Sequence, residues 1–278
     1  MQTWIAILKW MDTGMEPPKA WGGFHLVSWL LMILAIAALC LLCRKCSRKQ
    51  VCDLVLGVAV ATVLLEIYKQ INYTFDYDTG VVVADYQWYA FPFQFCSTPM
   101  YIGLLAGIFR KGKFHDCLCA YLATYAVFAG LCVMIYPGDV FCSTVGINFQ
   151  TMFWHGSMVV VGVYLLASGH VKLEHRTILR ALPVFAAVVL VAVALNEIAY
   201  YTGLLEEHTF NMFYFSRHCD PHLPVYSLVQ AVVPYPLSLV IYVLGFSAAA
   251  YIILMVSMGV GYLLRHKKAC AIVHCAGV

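Results

Sequence analysis

Long apolar runs alternate with short polar connections along most of this chain of 278 residues. A helix needs about 20 apolar residues to cross the hydrocarbon core of a bilayer. Seven runs meet that length, so the pattern predicts an all-α, polytopic membrane protein with seven transmembrane helices in one domain, residues 1–278. The predicted spans are, in chain order, Trp21–Cys43, Val51–Asn72, Phe91–Phe109, Cys117–Tyr136, Ile147–Ser168, Ile178–Gly203 and Pro234–Leu264.

The third run, Phe91–Phe109, differs from the others because its first turns carry polar side chains and two prolines. Polar atoms and proline-freed backbone groups inside a bilayer must find partners in protein or in a water-filled cavity. One helical face of this run reads Cys96, Met100, Gly103 and Gly107, and glycines at that spacing let a second helix approach closely. We therefore expect Cys96 to lie near a tight helix–helix contact.

Two of the segments outside the predicted spans allow a further prediction. Residues 1–19 contain a short apolar stretch with a lysine inside it and no signal-peptide cleavage site, which favours an interfacial N-terminal helix. Residues 204–233 form a long outer loop, which we expect to act as a lid with its aromatic side chains in the membrane interface. Those aromatic residues are Phe210, Phe213, Tyr214 and Phe215.

The composition agrees with a membrane protein. The chain is 63% hydrophobic and only 11% charged, with a mean hydropathy of +0.81. A soluble domain is about half apolar and about a quarter charged. The formal net charge of +3 is small, and we expect no nucleic-acid partner.

Most of the chain's 17 basic residues follow the odd-numbered spans, whereas acidic residues prevail in the other connections. Because basic loops stay in the cytosol, this asymmetry places the N-terminus outside and the C-terminus inside. The basic residues on the predicted inner side are Arg44, Lys45, Arg48, Lys49, Arg110, Lys111, Lys113, Lys172, Arg176, Arg180, Arg265, Lys267 and Lys268. The acidic residues on the predicted outer side are Asp12, Glu16, Asp76, Asp78, Asp85, Asp139, Glu206, Glu207 and Asp220.

Polar residues inside the spans gather at one depth, in the outer leaflet. Such residues are costly in lipid, and their clustering at one level indicates a shared cavity. With a rise of 1.5 Å per residue, Cys96 lies about 8 Å and His155 about 12 Å below the outer ends of their spans. The other members of this set are His25, Glu66, Lys69, Asn196 and Glu197.

Cys96 and His155 are the residues that we expect to carry chemistry. Asn148, Thr151 and His155 follow helical spacing and form one stripe on the fifth span. A thiol becomes a useful nucleophile where an imidazole takes its proton. The simpler alternatives are an inert buried thiol and a histidine that only hydrogen-bonds a neighbouring helix.

Glu66 and Lys69 are three residues apart on one helix face, where they can form an ion pair. Mutual neutralisation is the simplest role for the two charges. In the alternative, functional interpretation, Glu66 orients His155 or Lys69 binds a lipid phosphate. Asn196 and Glu197, in the last turns of the sixth span, leave the same two interpretations open.

The other cysteines and histidines follow less specific patterns. Four cysteines lie near the inner face, and the C-x-x-C-x-x-C run of the first three resembles part of an iron–sulfur motif, but it lies among basic residues with no fourth ligand at matching spacing. Inert thiols or S-acylation sites are favoured there. These cysteines are Cys40, Cys43, Cys46 and Cys52. Cys142 and Cys219 lie in outer loops and could pair. The outer-loop histidines lack the tight spacing of a metal site, so we expect no metal and no cofactor.

Short motifs are spread along nearly the whole chain. They are Phe24-His25, Leu65-Glu66 with Lys69, Pro92-Phe-Gln-Phe-Cys96, Phe149-Gln-Thr-Met-Phe-Trp-His155, Asn211-Met-Phe-Tyr214, Leu223-Pro-Val-Tyr-Ser227 and Pro234-Tyr235. Together they resemble the YwaF-like integral membrane proteins, a family related to transmembrane protein 164. The resemblance implies transfer of a fatty acyl chain from a diacyl phospholipid to a lyso ether phospholipid. It also implies that Cys96 is the nucleophile and His155 its histidine partner.

We therefore expect a membrane-embedded acyltransferase or lipid-ester transacylase that acts on phospholipids by a Cys–His mechanism in the outer half of the bilayer. Its partners would be phospholipid and lysophospholipid, and its location the bacterial cytoplasmic membrane. Amide donors at Gln94, Asn148 or Asn196 could hold the oxyanion. The remaining supporting or substrate-binding residues are His25, Glu66, Lys69, Thr151, Glu197, Asn211, Tyr214 and Tyr235.

The alternative function is a seven-helix transporter or ligand-binding membrane protein that uses Glu66, Lys69 and Glu197 as coupling residues. A receptor or retinal protein ranks below both, because the last span, Pro234–Leu264, has no lysine to hold retinal.

Overall fold

The computed structural model describes residues 2–43, 45–77, 80–203, 210–220 and 223–275, with side-chain surroundings given in the last helix as far as residue 263. Arg44, Asp78, Glu206, Glu207 and the side chains of Arg265, Lys267 and Lys268, which enter the predicted charge asymmetry, lie outside the described part, as do residues 204–209 and 221–222 of the predicted lid. The described helices are α1 (Gln2–Met11), α2 (Gly23–Leu42), α3 (Arg48–Asn72), α4 (Thr98–Ile108), α5 (Gly112–Ala123), α6 (Tyr125–Ile135), α7 (Val145–Ala167), α8 (Arg176–Tyr201), α9 (Pro224–Gln230) and α10 (Tyr235–Cys275).

The fold is a helical bundle with a single small β-ribbon among the described residues. Strands β1 (Phe75–Asp76) and β2 (Val83–Ala84) pair antiparallel in the connection between α3 and α4. In the bundle, α3 packs against α4, α7 against α2 and α6, and α8 against α5 and α10.

Six helical segments of the described chain are long and apolar enough to cross a bilayer, so the protein is a multi-pass membrane protein. These segments are α2, α3, α5 continued by α6, α7, α8 and the first part of α10. The third predicted span, Phe91–Phe109, forms a shorter apolar helix at Phe95–Ile108. A seventh full crossing and the orientation of the termini therefore stay predictions.

The prolines near its start explain why the helix of the third span begins late and is short. Phe91 and Gln94 keep an extended backbone, a 3₁₀ turn covers Phe95–Ser97, and Pro99 lies in the first turn of α4. Proline is tolerated there because the N–H groups of the first turn have no acceptor within the helix. The 11 residues of α4 extend about 16 Å, roughly half of the bilayer core of about 30 Å.

The fourth predicted span is divided at Thr124, whose φ of −128° and ψ of −77° leave the helical region. The Thr124 hydroxyl donates to the Ala120 carbonyl at 2.7 Å, which satisfies one of the acceptors at the break. The α5 helix before the break is the centre of the core, with Tyr121 and Ala123 fully buried. Tyr125 at the start of α6 stacks on Tyr121 and on Phe185 of α8.

The connections with predicted cytosolic charge lie together at one end of the bundle. Arg48 pairs with Asp116 at 2.9 Å, and Arg110 pairs with Asp53 at 2.7 Å. The first ion pair joins the start of α3 to α5, and the second joins it to the connection between α4 and α5. The sorting of these connections to one end agrees with the predicted alternation of the spans.

The N-terminal segment lies at the opposite end, where the sequence places the external loops. Asp12 accepts hydrogen bonds from the hydroxyls of Tyr77 and Thr144, both at 2.8 Å. Beyond it, the Met15 N–H donates to the Ser143 carbonyl at 2.7 Å. The helix α1 and the residues after it are thus held against the connection between α6 and α7.

The described part of the predicted lid corrects the sequence-based expectation. Phe210, Phe213 and Phe215 are buried in the core rather than placed in the membrane interface, while Tyr214 is 44% exposed. The Phe213 ring packs against Phe95 beside the start of α4. These aromatic rings are inside because residues 210–216 fill the space that the short α4 leaves in the bundle.

The cysteines of the outer connections are free thiols, so the pairing of Cys142 with Cys219 considered from the sequence does not form. The Cys219 thiol instead donates to the Phe210 carbonyl at 3.4 Å. Cys40, Cys43 and Cys46 are also free.

The close helix contact predicted from Gly103 and Gly107 is confirmed. A Cβ atom built at Gly103 would lie 3.0 Å from the Ala59 Cβ, and one at Gly107 would lie 2.5 Å from the Leu56 Cβ and 3.0 Å from its Cα. The α3 and α4 backbones therefore approach as closely as the missing side chains permit.

We predict that Gly107→Ala destabilises the protein by about 1–3 kcal/mol, because the added methyl group would overlap the Leu56 backbone. Gly57→Ala is the matched control, since a Cβ at Gly57 on α3 meets nothing within 4 Å. The measurement is the apparent melting temperature of both variants in detergent micelles. Equal melting temperatures would show that α3 and α4 are not in close contact.

Candidate functional site

The antiparallel packing of α3 on α4 sets the level of Cys96. Leu56 faces Gly107 and Ala59 faces Gly103, a register that brings residue 66 opposite residues 96–97. Glu66 is six residues before the end of α3 at Asn72, which corresponds to about 9 Å. Cys96 and Glu66 therefore lie at one level inside the bundle.

Cys96 lies in the 3₁₀ turn before α4, and α7 holds its backbone. The Trp154 indole N–H donates to the Cys96 carbonyl at 2.7 Å. Nearby, the hydroxyls of Thr98 and Tyr121 share a hydrogen bond of 2.6 Å that fixes the first turn of α4. The thiol position is thus determined by two neighbouring helices, and His155 directly follows the residue that binds Cys96.

Cys96 also lines a cavity of about 740 Å³ between the start of α4 and helices α6, α9 and α10. Its walls are almost entirely apolar or aromatic. The residues around it include Gln94, Phe95, Phe128, Cys132, Tyr214 and Tyr242. A volume of this size is typical of sites that bury a small organic ligand or part of a lipid.

His155 has one defined tautomer, because its Nδ1 lies 2.7 Å from the Thr151 carbonyl oxygen, which can only accept a hydrogen bond. The neutral ring therefore carries its proton on Nδ1 and a lone pair on Nε2. The side chain is 4% exposed, and Nε2 has no hydrogen-bond partner among the described residues. The stripe predicted on α7 thus contains an imidazole with a buried, open acceptor.

Glu66 and Lys69 form the predicted ion pair, with 2.9 Å between Nζ and Oε1. Gln70 also donates to Glu66 Oε1, at 2.6 Å, and Tyr86 donates to the Gln70 side chain at 2.7 Å. Oε2 of Glu66 has no partner within the described chain. The Lys69 ammonium therefore has Glu66 as its partner in this pair.

Gln94 and Asn196 fasten residues 211–213 above the start of α4. The Gln94 side chain donates to the Asn211 carbonyl at 3.0 Å and accepts from the Phe213 N–H at 2.9 Å. Asn196 forms the same two-bond contact with the backbone of Met212, at 3.0 and 2.8 Å. Both amides, proposed from the sequence as oxyanion donors, are thereby engaged with backbone.

The fastened segment has an unusual backbone. Phe213 and Tyr214 both have φ near +60°, in the left-handed region that side chains rarely adopt. Bonds to both backbone groups of Phe213 hold it there, since Tyr242 donates to the Phe213 carbonyl at 3.2 Å. The result turns Tyr214 towards the cavity that Cys96 lines. Asn211 is buried, and its amide nitrogen has no acceptor among the described residues.

His25 and Asn148 have structural roles. His25 accepts from the Trp21 N–H through Nδ1, so its Nε2 donates to the Met134 carbonyl at 2.8 Å. The Asn148 side chain binds both backbone groups of Cys142, at 3.0 and 2.7 Å. Both residues hold turns at the end of the bundle and have no open ring or amide-oxygen acceptor for chemistry.

Glu197 belongs to a separate group at the end of α8. Its carboxylate receives two bonds from the Arg217 guanidinium, at 3.0 and 2.7 Å, and lies 3.2 Å from His218. The carboxylate raises the pKa of Arg217 above its usual range. Tyr235 is near this group, with its ring 5.7 Å from the Arg217 guanidinium. The charge of Glu197 is therefore neutralised locally.

The sequence missed two residues that organise this site. Trp154 was one letter of a motif, but its indole is the link between α7 and Cys96. Gln70, one turn after Glu66, joins the Glu66 carboxylate to the Ala90 carbonyl. Both could have been predicted from their positions in the sequence, because Trp154 directly precedes His155 and Gln70 follows Glu66 by one helical turn.

Comparison with known proteins identifies one related family. The sequence model of the TMEM164 family matches residues 20–258, a range that includes every candidate site residue named above. No curated protein and no solved structure matches the chain.

We predict that Gln94→Leu lowers stability by about 1–3 kcal/mol for each backbone group left unpaired at Asn211 and Phe213. Hydrogen exchange of residues 210–216 should also become faster. Gln87→Leu is the control, because Gln87 is exposed and makes one long bond of 3.5 Å to Asp85. Unchanged exchange in Gln94→Leu would mean that this amide does not hold the segment.

Proposed function

We propose acyl transfer between phospholipids as the function of this chain, which belongs to the TMEM164 family. In this proposal Cys96 is the nucleophile and His155 is the general base. The acyl donor is a diacyl phospholipid and the acceptor a lysophospholipid.

The main support for the proposal is Nε2 of His155, a hydrogen-bond acceptor without a partner among the described residues. Inside an apolar bundle an unpartnered polar atom costs about 1–3 kcal/mol, and most other buried polar groups of this site are bonded. Nε2 has a lone pair, and the Thr151 carbonyl fixes the ring. A histidine held in this way through Nδ1 is ready to accept a proton at Nε2.

Cys96 supplies the second half of the argument. Its carbonyl is bound by the residue next to His155, and its side chain lines the apolar cavity. Among the described residues no hydrogen bond joins the Cys96 thiol to His155, so in this proposal the two groups approach each other when substrate binds. A thiol becomes nucleophilic when an imidazole takes its proton. The cavity offers an apolar environment for the fatty acyl chain, and scarce water there favours transfer over hydrolysis.

The proposed reaction has two balanced steps. The Cys96 sulfur attacks the ester carbonyl while its proton passes to His155 Nε2, and the lysophospholipid leaves as an alcohol after taking that proton. The acceptor alcohol then gives its proton to Nε2 and attacks the thioester, which releases the new ester and returns the proton to the thiol. In this scheme the unpartnered N–H of Asn211 is the amide best suited to hold the oxyanion, because Gln94 and Asn196 already bind backbone.

The transport alternative has less support from the charges. Glu66 pairs with Lys69, and Glu197 pairs with Arg217, so each proposed coupling carboxylate has a basic partner. The two pairs also lie on different helices, α3 and α8, and no described contact joins them.

We predict that a long-chain iodoacetamide alkylates Cys96 of the folded protein, a reaction followed by mass spectrometry on the peptide that contains residue 96 because Cys132 of the same cavity is also exposed. Cys96→Ser should remove this alkylation, and His155→Ala should slow it at least about 100-fold, as loss of a general base does. Incubation of the wild type with diacyl phospholipid vesicles should give an acyl thioester on the peptide containing Cys96, detected by mass spectrometry.

Cys132→Ser is the matched control, because Cys132 lines the same cavity and is exposed. Cys132→Ser should keep both the labelling rate and the thioester. Equal alkylation rates of Cys96 in the wild type and in His155→Ala, or a folded wild type that forms no thioester and no acylated lysophospholipid, would exclude acyl transfer at this site.

A further inference from the structure

A cluster of histidines and cysteines lies at the other end of the bundle, among the connections with predicted cytosolic charge. One ligand atom each of Cys52, His115 and His170 lie within 4.8 Å of one another. The two histidines face each other, with 2.8 Å between their Nε2 atoms. The Cys119 sulfur is 3.4 Å from the same Nε2 of His115. Three donors thus lie within 4.8 Å of one another, and the Cys119 sulfur is a fourth donor beside the His115 ring.

The hydrogen bonding of His115 matches that of a metal ligand. Its Nδ1 lies 3.1 Å from the Ala106 carbonyl oxygen, so the proton of the neutral ring is on Nδ1 and the lone pair on Nε2. Metal-binding histidines almost always donate their other N–H to a carbonyl or carboxylate in this way. The lone pair of His115 is therefore on the nitrogen that faces His170, and the Cys119 sulfur lies beside the ring, 3.4 Å from Nε2 and 3.9 Å from Nδ1.

The dimensions also agree with a tetrahedral site. With Zn–N bonds of about 2.0–2.1 Å and Zn–S bonds of about 2.3 Å, ligand atoms lie about 3.3–3.8 Å apart. The ligand atoms of Cys52, His115 and His170 lie within 4.8 Å of one another, and Cys119 is 3.4 Å from His115. Side-chain rotations would bring these groups onto one ion. Cys52, His115 and Cys119 are each 1% exposed, as expected of a closed structural site.

Charge and access are compatible with a divalent cation. Two thiolates neutralise a +2 ion, so the occupied site would bury no net charge. A polar cavity of about 410 Å³ adjoins the cluster and is lined by His170, Arg48 and Asp116, which gives an ion a route from the end of the bundle. Arg48 and Asp116 form an ion pair in this cavity, whose charged lining also contains Lys172 and Arg180.

We propose that Cys52, His115, Cys119 and His170 bind one zinc ion. The ion joins the start of α3, the helix α5 and the connection between α7 and α8, and it stabilises that end of the bundle. This site is independent of the proposed acyl transfer. The sequence indicated no metal because its ligands come from three segments with only His115 and Cys119 at helical spacing.

The test is zinc content and affinity of the purified protein in detergent, under reducing conditions. We expect about one zinc per chain by elemental analysis, and at least about tenfold weaker zinc binding after Cys52→Ser or His170→Ala. Two controls should bind zinc like the wild type. Cys117→Ser changes a cysteine on the same helix as Cys119, and His175→Ala changes a histidine of the same connection that contacts Tyr251 instead.

A second measurement needs no variant. Cobalt added to the metal-free wild type should give the thiolate-to-cobalt absorption and visible bands of a tetrahedral site. A wild type that binds neither zinc nor cobalt, or variants of Cys52 and His170 that keep the full zinc affinity, would overturn the proposal. In that case the two histidines form a simple hydrogen bond.

Discussion

Backbone that leaves helical geometry inside an apolar bundle needs side chains to satisfy its freed N–H and C=O groups. This protein meets that requirement with amides and an indole. Gln94 and Asn196 each bind the segment 211–213 through two hydrogen bonds, and Trp154 binds the Cys96 carbonyl. Because these bonds are directional, they fix the broken start of α4 and the inserted segment against each other. The cavity beside Cys96 exists only as long as both hold.

Because buried polar groups need hydrogen-bond partners, the polar atoms that have none are candidates for a function. Nε2 of His155 and Oε2 of Glu66 have no partners in the described chain, although the side chains around them are bonded. Both atoms belong to residues whose other polar atom is fixed, by the Thr151 carbonyl and by Lys69. When one polar atom of a side chain is hydrogen-bonded and the other has no partner, the side chain is oriented but can still form one more hydrogen bond. That is the arrangement that substrate-binding and proton-transferring groups require.

Features that depend on local pattern could be predicted from the sequence. Six apolar runs form the long helices, and the Glu66–Lys69 pair and the Gly103–Gly107 contact follow from helical spacing. The functions of the amides could not be predicted, because an amide in a span can serve chemistry or backbone equally well. Only the path of residues 211–213 decides between these roles. The burial of Phe210, Phe213 and Phe215 was missed for the same reason, since an aromatic loop suits an interface as well as a core.

The cysteine and histidine cluster shows the limit of spacing arguments more clearly. Cys52 is 63 residues before His115 in the sequence and His170 is 55 residues after it, so no local motif connects them. What brings them together is the packing of α5 against α4, α7 and α8. The side chains on one end of α5 meet the start of α3 and the α7–α8 connection, while Tyr121 near its other end reaches Thr98 beside Cys96. The packing of α5 therefore contributes to both ends of the bundle.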